Sequence, residues 1–193
     1  MKTIAFLSIA LLIACAGASP PPTQYLLRAE PKQREGRVDV TVHVGLARVE
    51  VAPYLEQSGI VVETEAGQVR AARQHQWAEP LDAGLRTYLR SEISLELGYD
   101  VSSSRADELS WDYAVNIYVD RLHGTMAGHA VLDASYRIAP QSGEGEPVEY
   151  RFSKTAALAR EGFAGLIEAE ARLVRELAAA IAASLRNLNT AAN

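Results

Sequence analysis

The chain reads as an α+β protein. The expected body is two-layered: a mostly antiparallel sheet of about six strands with two long amphipathic helices on one face. Three observations predict it. Apolar and polar residues alternate through residues 38–51 and again through 111–138, the period-2 signature of half-buried strands. Apolar residues recur at helical spacing from Leu81 and from Phe163, the mark of helices with one buried face. No repeat or composition shift after residue 23 marks a second domain.

The elements follow in chain order. Met1-Lys2 is a short positive start and residues 4–13 an apolar run, closed by Leu12-Ile13-Ala14-Cys15 and followed by small residues. This is a bacterial lipoprotein signal: Leu12, Ile13 and Ala14 form the lipobox, residues 1–14 are removed, and Cys15 carries the lipid. The alternative is a plain signal peptide cut near Ala18. Cys15 is the only cysteine among 193 residues, and an exported chain with a lone thiol would otherwise carry it unpaired. The apolar run is well short of the ~20 residues that a membrane-spanning helix needs. Residues 15–23 form the lipidated start and a proline-rich tether whose extended reach is about 25 Å at ~3.3 Å per residue. The single domain covers 24–188, and 189–193 is a frayed tail.

Within the domain, Tyr25-Leu26-Leu27 is a short strand and residues 38–51 the clearest one. Val38, Val40, Val42, Val44 and Leu46 share a face; parity then flips to Val49 and Val51 beside Gly45, which calls for a bulge. Pro53 ends the run. Residues 60–63 and 68–72 pair around a turn at Ala66-Gly67. Trp77-Ala78-Glu79-Pro80-Leu81 opens the first helix, with Pro80 at its first position, Glu79 favouring the helix dipole and Trp77 covering the core edge. Leu81, Leu85, Tyr88, Leu89 and Ile93 give its stripe and Gly98 its end. A brief strand at 99–102 and a polar loop at 103–110 follow. Trp111, Tyr113, Val115, Ile117 and Val119 then alternate with Asp112, Asn116 and Asp120, and a glycine turn at 124–128 leads to a partner strand through Ala130, Leu132, Ala134, Tyr136 and Ile138. Val148, Tyr150 and Phe152 make one more strand. The last helix, 162–187, has the stripe Phe163, Leu166, Ile167, Leu173, Val174, Leu177, Ile181 and Leu185.

The chemistry is sparse. Net charge is −5, with 48% hydrophobic and 22% charged residues, a globular composition without the basic stripe that nucleic acid or an anionic membrane surface would select. No G-x-S-x-G, Walker A, G-x-G-x-x-G or H-E-x-x-H motif is present, so no enzyme class, metal or cofactor is expected beyond the covalent lipid. An energy-using system would need its ATPase in another chain. His123 and His129 flank the glycine turn as a possible metal half-site or as plain turn residues; the latter is favoured because no further ligand lies at a recognisable spacing. His43 falls on the polar face of its strand. Tyr54 and Leu55 are either an exposed loop that contacts a partner or a lid over the core. The alanine-rich stretch 178–183 allows close packing.

The lipobox ending at Cys15, Tyr25-Leu26-Leu27, the strand running into Pro53-Tyr54-Leu55 and then Ile60-Val61, Trp77-Ala78-Glu79-Pro80-Leu81, the Tyr113-to-Tyr136 hairpin and the final helix with Leu173, Leu177 and Ile181 together resemble the PqiC/YmbA-type auxiliary lipoproteins of MCE (paraquat-inducible-type) ABC transport systems. The sequence departs from the pattern at Glu56-Gln57-Ser58-Gly59. The resemblance implies a non-enzymatic lipoprotein on the periplasmic face of the outer membrane. It implies an MCE-domain tunnel protein as partner, permease and ATPase subunits in other chains, a lipid-transport role supporting envelope integrity, and a ring-like homo-oligomer. Ala16 after Cys15 agrees with outer-membrane sorting. Two other readings stay open: a periplasmic lipid-binding carrier, and a cell-wall or outer-membrane assembly cofactor.

Overall fold

The structure is a computed structural model that describes residues 20–29, 42–141 and 145–192. Its elements are β1 (Thr23–Tyr25), β2 (Val44–Val51), β3 (Gly59–Glu65), β4 (Gln68–Trp77), α1 (Leu81–Leu97), β5 (Tyr113–Thr125), β6 (His129–Pro140), β7 (Val148–Ala157) and α2 (Gly162–Ala192), with 3-10 turns at Pro53–Leu55 and Arg105–Ser110.

The sheet corrects the expectation of a mostly antiparallel array. It is mixed and holds seven strands in the order β1-β4-β3-β5-β6-β7, with β2 also on β5. β3–β4, β5–β6 and β6–β7 are antiparallel, whereas β1–β4, β2–β5 and β3–β5 are parallel. Because β6 occupies one edge of β5 along its length, β2 and β3 share the other. β2 pairs with Tyr113 to Val119, and β3 with Gly124 and Thr125. They behave as one strand broken at Pro53, which lacks the N–H a ladder needs. The ladder's last bond before the break runs from the Ala52 amide to the Val119 carbonyl at 2.9 Å.

The bulge foreseen near Gly45 is present: the β2 register shifts between Leu46 and Arg48. Ala47 is the extra residue, and it returns Val49 and Val51 to the buried side while Arg48 and Glu50 face out. Gly45 is obligatory for a different reason. A Cβ there would lie 1.9 Å from the Trp111 ring, so the indole closes directly over bare backbone.

Several boundaries move. β4 runs on to Trp77, past the expected end at 72, because β1 pairs with its last residues and the Trp77 amide donates to the Ser58 carbonyl at 2.7 Å. Trp77 therefore ends a strand instead of opening a helix, and Pro80 is the residue capping α1, one place before its first turn. Gly98 ends α1 at φ 80°, its N–H bonded to the Ser94 carbonyl at 3.0 Å, the left-handed cap that glycine allows. The strand expected at 99–102 reduces to one parallel bridge between Ser102 and Gly45, and the following loop contains a 3-10 turn. Trp111 precedes β5 instead of belonging to it. α2 continues through Ala192, where the sequence suggested fraying from 189.

Both helices lie on one face of the sheet. Leu85, Tyr88, Leu89 and Ile93 of α1 and Leu173, Leu177, Ile181 and Leu185 of α2 close on Val115, Ile117, Val119, Leu132 and Ile138 in one apolar cluster. Gly124 lets the helix layer approach, since a Cβ there would meet Leu166 at 2.7 Å. Tyr88 links the helices through polar atoms at the core's edge: its hydroxyl receives a bond from Arg175 at 2.8 Å and donates to the Ala171 carbonyl at 3.4 Å.

Candidate functional site

The lipobox residues Leu12, Ile13 and Ala14 and the acceptor Cys15 lie outside the described residues. The structure places the point at which the tether joins the body: Pro20 to Pro22 lead into β1, whose Thr23 sits opposite His75 of β4. Behind β1, Arg28 grips Glu79 with a forked pair at 2.5 and 3.1 Å. The bond from Arg28 holds the Glu79 carboxyl below its ordinary pKa. Glu79 thus binds the N-terminal segment to the start of α1, while Trp77 and Leu81 are buried on either side. Trp77, Glu79, Pro80 and Leu81 are a structural latch, assembled where β4, β1 and α1 meet.

Tyr54 and Leu55 divide. Leu55 is turned into the core at 1% exposure, so it acts as the lid and offers no surface to a partner. Tyr54 stays half-buried in the gap between β2 and β3. Its hydroxyl donates to the Asp120 carbonyl at 3.3 Å, at the register shift of β5 between Val119 and Arg121. Burial pushes the phenol up to about 12. The Tyr54 ring meets that of His123 edge-on at 6.4 Å and helps bury it.

The histidines do not gather. The β5–β6 register sets His123 opposite Val131, not His129, and the His123 Nδ1 lies 3.1 Å from the Gly124 carbonyl. His43 stands on the exposed side with its Nδ1 3.4 Å from Asp112. Among the described residues no group of three or more His, Cys, Asp and Glu could hold a metal ion.

What the residues do build is a sheet face that no described helix or strand covers. Opposite the helices, the ladder lays polar side chains in rows across four strands. Arg48 lies beside Asn116, Arg137 and Glu149; Glu50 lies beside Tyr118, Ser135 and Arg151. At the far row Arg121 Nε bonds Asp133 at 2.5 Å, and Ser153 bonds the same carboxylate at 2.7 Å. A shallow depression of about 190 Å³ runs over the first two rows. This face carries both charge signs and hydrogen-bonding groups on a rigid scaffold, which suits recognition of a polar protein surface. Its residues are the positions left over once the apolar alternation is assigned, so the sequence held the signal.

A second feature had no clear signal. Glu170 occupies the middle of the α2 stripe, between Leu166 and Leu173, at 1% exposure. Its Oε2 has no hydrogen-bond partner among the described residues. Burial raises its pKa to about 8, so it is held protonated at neutral pH.

Comparison with known proteins completes the description. The model of the family described as ABC-type transport auxiliary lipoprotein component matches residues 25–182. The intermembrane transport lipoprotein PqiC of Escherichia coli K12 is 25% identical over 141 residues, 73% of each chain. A crystal structure of an uncharacterized protein superposes with TM-score 0.73 at 24% identity, covering 86% of this chain and 99% of that one. A Xanthomonas campestris protein of known structure gives TM-score 0.66 at 16% identity, covering 82% and 92%. The last two likenesses concern the fold.

Proposed function

Because this chain belongs to the family of ABC-type transport auxiliary lipoproteins, we propose that it is the lipid-anchored docking subunit of an MCE-type lipid transport system, held on the periplasmic face of the outer membrane. Cys15 supplies the anchor, and the body presents the open sheet face to the MCE-domain tunnel protein. Permease and ATPase reside in other chains, and the system moves lipid between the membranes. The observation that carries the docking role is the asymmetry of the sheet: one face is sealed by α1 and α2, and across the other the described residues lay a charged surface spanning β2, β5, β6 and β7. Such a surface suits contact with a polar protein partner. Support also comes from the likeness to a lipoprotein named for intermembrane transport.

The lipid-carrier alternative gains less. Leu132, Ile138, Leu177 and Ile181 fill the layer between helices and sheet, each fully buried, where a carrier would need room for acyl chains.

The test is affinity capture from solubilised membranes with wild-type chain and with Arg48→Glu/Arg137→Glu. The wild type recovers an MCE-domain protein, and the charge reversal, on exposed positions, loses it with the fold intact by circular dichroism. Equal recovery by both proteins rejects the open face; no MCE-domain protein with either rejects the docking role.

A further inference from the structure

The end of the molecule that receives the tether also holds an apolar cleft. Thr23 enters the sheet opposite His75, and the Tyr25 hydroxyl lies 3.0 Å from the His75 Nδ1. The His75 ring stacks on Phe163 in the first turn of α2, with centroids 4.0 Å apart and planes 17° apart. Phe163 is one wall of a cleft of about 530 Å³, completed by Val62, Leu158, Leu166 and the β5–β6 turn at Met126. Met126 stands at the rim, 72% exposed. The rim also carries an acid, Glu161. An exposed apolar cleft rimmed by polar groups marks a surface that meets something apolar.

The length of chain outside the described body selects the occupant. From Thr23 back to Cys15 the tether can span at most about 25 Å, and Thr23 is one strand and one ring stack from Phe163. Acyl chains on Cys15 would therefore enter the bilayer within about 25 Å of Thr23, a span that includes the cleft. We propose that this end of the domain rests on the membrane that takes the Cys15 lipid, with the cleft and Met126 seated among phospholipid acyl chains. This inference rests on the lipid-anchor reading. With an acid at the rim, the contact is apolar and not electrostatic, so it persists at high salt.

The experiment uses the full lipidated chain on phosphatidylcholine vesicles with brominated acyl chains. An environment-sensitive dye is placed on Met126→Cys or, as control, on Leu109→Cys. Leu109 is fully exposed and lies beyond the opposite end of β5, roughly 40 Å away at about 3.3 Å per strand residue. Both sites are on the surface, so neither substitution threatens folding. The expected result is a blue-shifted Met126 dye quenched several-fold more than the Leu109 dye, unchanged in 1 M salt as an approximate upper condition. A protein that floats with the vesicles while its Met126 dye stays unquenched overturns the inference and leaves the anchor reading intact. A Met126 dye equally shielded in lipid-free Cys15→Ser protein gives the cleft to a second copy and also overturns it. A wild-type chain that fails to float overturns the anchor reading and the inference with it.

Discussion

At the scale of single residues, two positions carry more than their size suggests. Gly45 is required by the Trp111 ring, which lies where a Cβ would stand. Gly45→Ala should cost about 3 kcal/mol, at the upper end for overpacking, seen as a lower urea midpoint. Pairing it with Trp111→Leu should recover part of that loss, a coupling that a double-mutant cycle measures. Glu170 sets a pH dependence. Its folded pKa is raised to about 8 from an ordinary 4.5, so between these values the folded chain holds a proton that the unfolded chain has released. Stability contributed by that proton is complete below about pH 4.5 and is lost as pH rises through about 8, at up to ~1.4 kcal/mol per pH unit. Glu170→Gln should accordingly match the wild type near pH 5 and exceed it by roughly 3.5 kcal/mol at pH 8 in thermal melts. A constant difference across that range would contradict the burial account. Gly45 was legible only as a neighbour of the parity flip; Trp111 lies 66 positions away in the sequence, and sequence alone could not bring them together. Glu170 was hidden because a helical stripe tolerates one polar position without losing its period.

At the scale of elements, what was legible was whatever alternation records. The bulge in β2 was readable because Leu46 and Val49 cannot share a face without an inserted residue, and Ala47 is that residue. Deleting Ala47 should leave Leu46, Arg48 and Val49 in plain alternation, with Arg48 still outside, whereas inserting one alanine between Arg48 and Val49 should turn Val49 and Val51 outward and Glu50 to the buried side. The expected outcome of the insertion is loss of cooperative unfolding, or at least ~4 kcal/mol of stability; a cooperative transition at the wild-type midpoint would contradict the parity account. The start of α1 was misplaced because Trp77 and Pro80 look like a helix start from within the segment. β1 decides otherwise: by pairing with His75, Gln76 and Trp77 it extends β4, an effect of residues more than fifty positions away. Pro53 gave the right stop, but nothing local revealed that Gly59 would resume alongside the same neighbour strand.

At the scale of the whole molecule, the two-layer body with helices on one side was legible and the direction of pairing was not. Alternation reports which side of a strand is wet, and it reads the same for parallel and antiparallel neighbours. Parallel strands are usually covered on both faces, so an open-faced sheet suggests antiparallel order; here β2 and β3 run parallel to β5, with the described helices on one face alone. Alternation leaves Arg48, Glu50, Arg137, Glu149 and Arg151 at polar positions but did not single them out, and the sequence pointed to Tyr54 and Leu55 as the partner contact instead. Only the register could show that they form rows.

The account depends on Cys15 holding this body to a membrane as part of transport machinery. Intact mass spectrometry of the chain extracted from its own membranes tests that most directly. The account predicts a polypeptide beginning at Cys15 with a diacylglyceryl mass on that residue, and release into the soluble periplasmic fraction on Cys15→Ser. A mature chain cut near Ala18, or an unmodified Cys15 thiol, would contradict it.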